Sequence, residues 1–407
     1  MKPNRPLYRA GLPRPYTHVP TAPTHSFSDP RRLVSIALQV LRKAGREQPA
    51  DSVLRDVLRA QSGLSPLDSQ EITRAVFAYY RWIGWTRDAE SPEEGLRLAQ
   101  EWERRFFRDG TCVTDEDLAS RTVPDWIRQE MTVTPAWLRS LQHTPQLWIR
   151  VRRQDQERVE QELQDCAPPT LRDCPNALAY RGEADLFKTK LFQEGAFEVQ
   201  DIASQVVGHL CAPQPGETWW DACAGEGGKL LHLSDLMGNK GMVWASDRAA
   251  WRLLKLKRRA ARASVFNYRS APWDGGEKLP TKTTFHGVLV DAPCSGVGTW
   301  QRNPHARWTS TPNDVRELSE IQLRILRHAS RGVKLGGRLF YSVCTLTRAE
   351  TTGVVAQFQQ SVPGFTPEPL PEFSGLEPGA PHEAWIWPYV GKSNGMFVAA
   401  WKRTGVS

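Results

Sequence analysis

The sequence predicts an α/β protein. Its C-terminal half reads as a doubly wound, mostly parallel sheet, preceded by an all-helical segment and a small α+β unit. Three observations carry that prediction. From about Glu198 onward, short apolar runs alternate with helical patterns, which is how βαβ units look in sequence. The first of these runs ends in a glycine-rich turn. Two later runs each end in a cysteine motif, and residues just past the carboxyl ends of parallel strands line the ligand crevice of such a sheet.

The bulk numbers set the bounds. A chain of 407 residues has room for two or three domains. Its seven cysteines are odd in number, irregularly spaced and without a CxxC pair. That argues against a secreted disulfide framework and against a zinc ribbon. Reduced thiols in a cytoplasmic protein are expected. No apolar run approaches the ~20 residues of a membrane span, so a soluble chain is expected, with a monomer as the simplest state. A net charge of +8 favours a polyanionic partner, although an ordinary basic enzyme fits that charge equally well.

Residues 1–28 are basic, proline-rich and aperiodic, the pattern of a flexible lead-in. Residues 29–123 read as an all-helical domain. Leu33, Ile36, Ala37, Val40 and Leu41 form an amphipathic stripe, and Leu54, Val57 and Leu58 begin another. Asp68, with Glu71 three residues on, is the expected N-cap of a third helix carrying Ile72, Val76, Tyr79, Tyr80 and Ile83. Residues 124–196 read as a small α+β unit, with a strand at 147–151 and a helix from Gln154 to Cys166. Residues 197–404 hold the α/β pattern. Its strand candidates are 218–220, 242–245, 287–290 and 337–340.

The first strand runs into Asp221-Ala222-Cys223-Ala224-Gly225-Glu226-Gly227-Gly228-Lys229. Glycines there let the backbone approach a ligand closely. The next strand ends in Asp247, where an acid can bond both ribose hydroxyls of a nucleoside cofactor, or else cap the following helix. Leu230 follows Lys229, so the turn departs from the Walker pattern and ATP is disfavoured. NAD and S-adenosylmethionine remain. In the helix after Asp247, Leu253, Leu256, Ala260 and Ala263 can face the sheet. Lys255, Arg258, Arg259 and Arg262 then share the outer face, which is either a solvated basic face or a phosphate contact.

The thiols choose between the cofactors. Asp291-Ala292-Pro293-Cys294-Ser295-Gly296 and Tyr341-Ser342-Val343-Cys344-Thr345 each follow a strand candidate. Both thiols therefore point at one crevice. A thiol there can attack an electron-poor ring carbon such as carbon 6 of cytosine, and that chemistry selects S-adenosylmethionine. From the residues alone, either thiol could attack.

These motifs, with Arg302-Asn303-Pro304 and Trp308 beyond the first, resemble the Sun-type RNA cytosine-5 methyltransferases, a family that includes bacterial small-subunit ribosomal RNA enzymes. The resemblance implies a Rossmann-like class I methyltransferase sheet and an N-terminal NusB-like RNA-binding domain. It implies Cys344 as the nucleophile, Cys294 as the helper in product release, Asp291 at ring nitrogen 3 and Lys229 near the target base. It implies S-adenosylmethionine contacts from Asp221, Cys223, Ala224, Gly225, Glu226, Gly227, Gly228, Lys229, Asp247, Arg252, Asp274 and Asp291. Gln200, Asp201 and Ser204 match a motif before the cofactor turn, and Asn394 to Val398 match the closing strand. RNA is the implied partner, ribosomal RNA ahead of transfer RNA. A non-catalytic assembly factor and a DNA methyltransferase are the competing classes. Two departures stand out: Glu226 replaces the usual proline of the cofactor turn, and Val343 replaces a hydroxyl residue. Glu226 is expected to point to solvent, away from the carboxylate of methionine. Asp291 is expected to serve best as a proton-holding acid.

Overall fold

A computed structural model describes residues 29–405; the expected lead-in over 1–28 lies outside them. Seven helices come first: α1 (Pro30–Lys43), α2 (Ala50–Ala60), α3 (Pro66–Trp82), α4 (Pro92–Arg108), α5 (Asp115–Arg121), α6 (Ile127–Glu130) and α7 (Pro135–Ser140). The predicted stripe of α1 is buried at Leu33, Ile36, Ala37 and Val40. It packs with Val53, Leu54 and Val57 of α2 and Ile72 and Val76 of α3. Asp68 is not the N-cap of α3. Ser65 is, and Asp68 is the reciprocal third residue of the capping box. Pro66 at the first helical position fixes that start, and the Ser65 hydroxyl accepts the Asp68 N–H at 3.0 Å.

A four-stranded antiparallel sheet follows, in the order β2-β3-β1-β4. Its elements are β1 (Leu147–Val151), α8 (Gln156–Glu162), β2 (Cys166–Ala167), β3 (Ala177–Tyr180), α9 (Lys190–Gln193) and β4 (Phe197–Val199). The helix expected to reach Cys166 stops at Glu162. Asp165 takes a positive φ of 63°, and Cys166 is drawn into the sheet opposite Tyr180.

The C-terminal unit runs α10 (Ile202–Cys211), β5 (Thr218–Asp221), α11 (Gly228–Leu236), β6 (Met242–Asp247), α12 (Ala250–Arg262), β7 (Tyr268–Pro272), β8 (Phe285–Asp291), α13 (Ala306–Thr309), α14 (Pro312–Ser330), β9 (Val333–Val343), α15 (Thr352–Ser361), β10 (Phe365–Pro367), β11 (Leu376–Pro378), β12 (Glu383–Ile386), α16 (Pro388–Gly391) and β13 (Met396–Arg403). The strands form one sheet of order β11-β12-β13-β9-β8-β5-β6-β7, with β10 beside β13. The pairs from β9 to β7 are parallel, and β13 adds antiparallel to β9. Helices cover both faces, so the strands are apolar on both sides. Trp219 and Trp220, adjacent in β5, are fully buried in opposite layers.

The helical segment is bolted to the sheet. Arg307, fully buried, donates to the carbonyls of Thr122 and Leu141, each at 3.0 Å. Trp308 donates to the Tyr80 carbonyl at 2.8 Å. Trp126 and Trp137 both pack on Trp300.

Candidate active site

β5 and β8 are parallel neighbours, and the order of strands reverses between them. Ligands bind at such a switch point, beyond the carboxyl ends of the strands. There the sheet opens into a cavity of about 250 Å³ lined by Cys223, Asp247, Arg252, Trp273, Asp274, Asp291, Cys294 and Cys344, among others. Residues from five strand ends, far apart in sequence, thus meet in one crevice.

The thiols are in contact, Cys294 Sγ to Cys344 Sγ at 3.2 Å. The hydrogen bond from the Cys294 thiol lowers the pKa of Cys344, and the Lys229 charge adds to that effect. The same bond, with burial, raises Cys294 well above the usual thiol range. Cys344 is thus the better thiolate, in keeping with a nucleophile.

Lys229 Nζ donates to Asp291 Oδ2 at 2.7 Å, and Ser342 Oγ to Asp291 Oδ1 at 2.8 Å. Burial lowers the Lys229 pKa, but the charge and hydrogen bond of Asp291, with the nearby Cys344 and Asp221, together more than offset it and the pKa is raised. Asp291 therefore enters the crevice with both oxygens engaged, one by the Lys229 ammonium and one by the Ser342 hydroxyl. The register of β8 against β9, Asp291 opposite Ser342, creates that second contact.

The glycine turn is held from Asp247. Its Oδ2 accepts the Gly225 N–H at 2.9 Å and Arg252 Nη1 at 3.2 Å, while Oδ1 accepts the Ala249 N–H at 2.9 Å. Gly225 and Gly227 have φ of +56° and +90°, values that favour glycine. A Cβ on Gly225 would lie 2.6 Å from Arg252, and one on Gly227 would lie 2.7 Å from Leu256. Ala224, Gly227 and Gly228 shape this turn without lining the cavity. Asp274 sits at the rim, its Oδ1 accepting the Gly276 N–H at 2.9 Å. Glu226 turns away from the cavity and pairs with Lys255 at 2.8 Å.

That pair and its neighbours correct the reading of the α12 outer face. Arg259 and Arg262 both clamp the buried Glu198 carboxylate. Three of the four outer cations are therefore engaged within the fold, Lys255 by Glu226 of the turn and the two arginines by Glu198, which β4 brings beneath them. Gln200 accepts from Arg150 at 2.7 Å and donates to Ser204 at 3.2 Å. Asp201 caps α10 and accepts the Asn394 N–H at 3.1 Å. These three residues therefore brace the site from outside it.

Asp221 lies beneath the turn. It is 1% exposed, and neither carboxylate oxygen has a well-formed hydrogen bond, the Cys223 N–H offering only weak help. Burial, and then repulsion from Asp291, push its pKa up to about 7. A buried carboxyl without partners beside a cavity is an acceptor set for a cationic ligand group.

A family model described as 16S rRNA methyltransferase RsmB/F matches residues 209–402. A probable ribosomal RNA small subunit methyltransferase B from Synechocystis is 30% identical over 382 residues, covering 85% of this chain and 84% of that protein. The chain belongs to the RsmB/F methyltransferase family. A mouse relative named tRNA (cytosine(72)-C(5))-methyltransferase NSUN6 is 34% identical over 191 residues, covering 44% of this chain and 40% of that one. Among solved structures, that of PH0851 superposes with a TM-score of 0.74 at 22% identity, covering 93% of this chain and all of that one. NSun6 from Pyrococcus horikoshii, solved with SFG, gives 0.60 at 19% identity over 67% of this chain and 94% of that one. Both share the α/β fold. The cofactor of this RsmB/F methyltransferase is S-adenosylmethionine, and the crevice fits it. Asp221, next to the cavity-lining Ala222 and Cys223, has both oxygens without a well-formed partner, a need that an ammonium would satisfy. Asp247 lines the cavity, and Glu226 is paired with Lys255 away from it. Sequence reading missed Trp273, Gln322 and Glu350, which belong to no local motif, and the contact of Ser342, which sits in the Cys344 motif but meets Asp291 only across the sheet.

Proposed function

We propose that the protein methylates carbon 5 of a cytidine in RNA through a covalent cysteine adduct, with small-subunit ribosomal RNA as the favoured substrate. The observation that carries this reading is the pair of thiols in contact at 3.2 Å, with the Lys229–Asp291 pair beside them. Carbon 5 of cytosine is a weak nucleophile. Addition of Cys344 Sγ to carbon 6 breaks the aromaticity and gives carbon 5 enamine character. Negative charge building at nitrogen 3 is met by a proton passed from the Lys229 ammonium through Asp291, to which it is bonded at 2.7 Å. Bound in the crevice, S-adenosylmethionine supplies the electrophilic methyl group. After transfer carbon 5 loses its proton to a base, and the carbon 6–sulfur bond to Cys344 breaks. Cys294, hydrogen-bonded to Cys344, is the helper in that release.

The target base must leave its stack to reach Cys344. Flanking RNA is assigned to the helical segment and the small sheet. A second cavity of about 790 Å³ lies where they meet the catalytic unit, lined by His143, Arg181, Tyr389 and Lys392 among others. Cations and an aromatic ring in one cleft suit a stacked, single-stranded segment. Names of relatives support both ribosomal and transfer RNA, and the wider match is to the ribosomal one. The test is methyl transfer from labelled S-adenosylmethionine to total RNA from a strain lacking this gene, followed by bisulfite sequencing. One new 5-methylcytidine in small-subunit ribosomal RNA is expected. A modified transfer RNA would redirect the substrate, and binding without transfer would favour an assembly factor.

A further inference from the structure

Glu350 is a buried carboxylate with no cation. It is 0% exposed, and it takes part in no ion pair among the described residues. Five donors converge on it instead. Oε1 accepts the Ser295 N–H at 2.8 Å and Gln322 Nε2 at 2.9 Å. Oε2 accepts Thr345 Oγ1 at 3.0 Å, Thr347 Oγ1 at 2.8 Å and the Ser295 hydroxyl. Ser295 follows Cys294, and Thr345 follows Cys344. One side chain thus bonds the residue after each thiol. Gln322 is itself fixed, donating also to the Pro293 carbonyl at 2.9 Å and accepting from Tyr341 Oη at 2.9 Å.

We propose that Glu350 is a positioning residue, locking the two cysteine-bearing loops in register so that the Cys294 thiol donates to Cys344. A neutral side chain could fill the same space at lower desolvation cost. An ionised carboxylate is acceptor-only, and all five neighbouring groups, from four residues, present donors to it. Its charge raises the pKa of both thiols, so what distinguishes them is the hydrogen-bonded placement of the two loops. The hydrogen bonds to Ser295 and Thr345 hold the two loops so that Cys294 faces Cys344 as the donor. The idea rests on the two-thiol reading above, but its test needs no RNA.

The experiment alkylates Cys344 and Cys294 in the RNA-free full chain with iodoacetamide across pH 6–10, followed by peptide mass spectrometry. In the wild type, Cys344 reacts first. Glu350→Gln keeps the carbon skeleton but places an amide donor against donors. The expected result is a normal thermal melt and S-adenosylmethionine affinity within about twofold, yet a Cys344 alkylation profile moved alkaline by roughly one pH unit, a tenfold loss at neutral pH. Glu350→Asp is expected to recover part of the shift, and Ser295→Ala to reproduce it where Glu350→Gln fails to fold. An unchanged profile in a folded Glu350→Gln or Ser295→Ala protein overturns the proposal. If wild-type RNA methylation fails while the alkylation shift is seen, the substrate reading is wrong and the positioning role stands.

Discussion

Replacing Asp221 with asparagine should trade cofactor affinity for stability, and both sides can be worked from the structure. The carboxyl is buried without a well-formed partner, and its pKa is pushed up to about 7. An unfolded aspartate titrates near ~3.9. The folded value is the higher one, so the associated stability is present in full below about pH 4 and is lost as pH rises through about 7. Three units at ~1.4 kcal/mol each place the penalty of the ionised group at about 4 kcal/mol by pH 8. The asparagine would carry no such charge, though its amide would inherit poor partners at a cost of about 1–3 kcal/mol. Without cofactor, Asp221→Asn should therefore match or fall below the wild-type Tm at pH 5 and exceed it by a few degrees at pH 8. Affinity for S-adenosylmethionine should fall about ten- to hundredfold, the loss of one charge-assisted bond. Wild-type binding at pH 7 should also release a fraction of a proton, measurable by calorimetry in buffers of different ionisation enthalpy, and the variant should release none. Scanning calorimetry across pH 5–8 supplies the stability arm. A Tm difference that stays flat with pH, or an unchanged cofactor affinity, refutes the reasoning.

Other outcomes follow from the same geometry. Cys294→Ala should accumulate a covalent RNA–protein adduct on denaturing gels, whereas Cys344→Ala should form none; the reverse would swap the roles of the two thiols. Lys229→Met removes the cation that lowers Cys344, so the acidic limb of the pH–rate profile should move upward and kcat should fall at least about a hundredfold. Arg307→Leu strands the carbonyls of Thr122 and Leu141 and should cost about 2–4 kcal/mol in denaturant melts, loosening the helical segment from the catalytic unit.

Much of the architecture was legible because its signals are local. The alternation of apolar runs and helical stripes from Glu198 onward marks β5, β6, β8 and β9, and the α12 residues expected to face the sheet are buried. Strand ends also told which thiols and acids would converge, since the carboxyl edge of a parallel sheet is one place. Where local signals competed, the nearer one won: Asp68 looked like a cap, but Ser65-Pro66 starts α3 one turn earlier.

What the chain could not reveal is which side chains touch across long separations. Ser342 meets Asp291 only through the β8–β9 register. Two cations of the basic face of α12, Arg259 and Arg262, are engaged only because Glu198 arrives from another sheet. Glu350 reads as one more acid in a polar stretch until the fold surrounds it with five donors from two loops and α14. Sequence by itself determined the sheet, the crevice and the thiols that face it, because periodicity and strand ends are properties of neighbouring residues. Tertiary structure alone decided the ion pairs, the orphaned Asp221 and the clamp at Glu350, because burial and hydrogen-bond partners are properties of residues that only folding brings together.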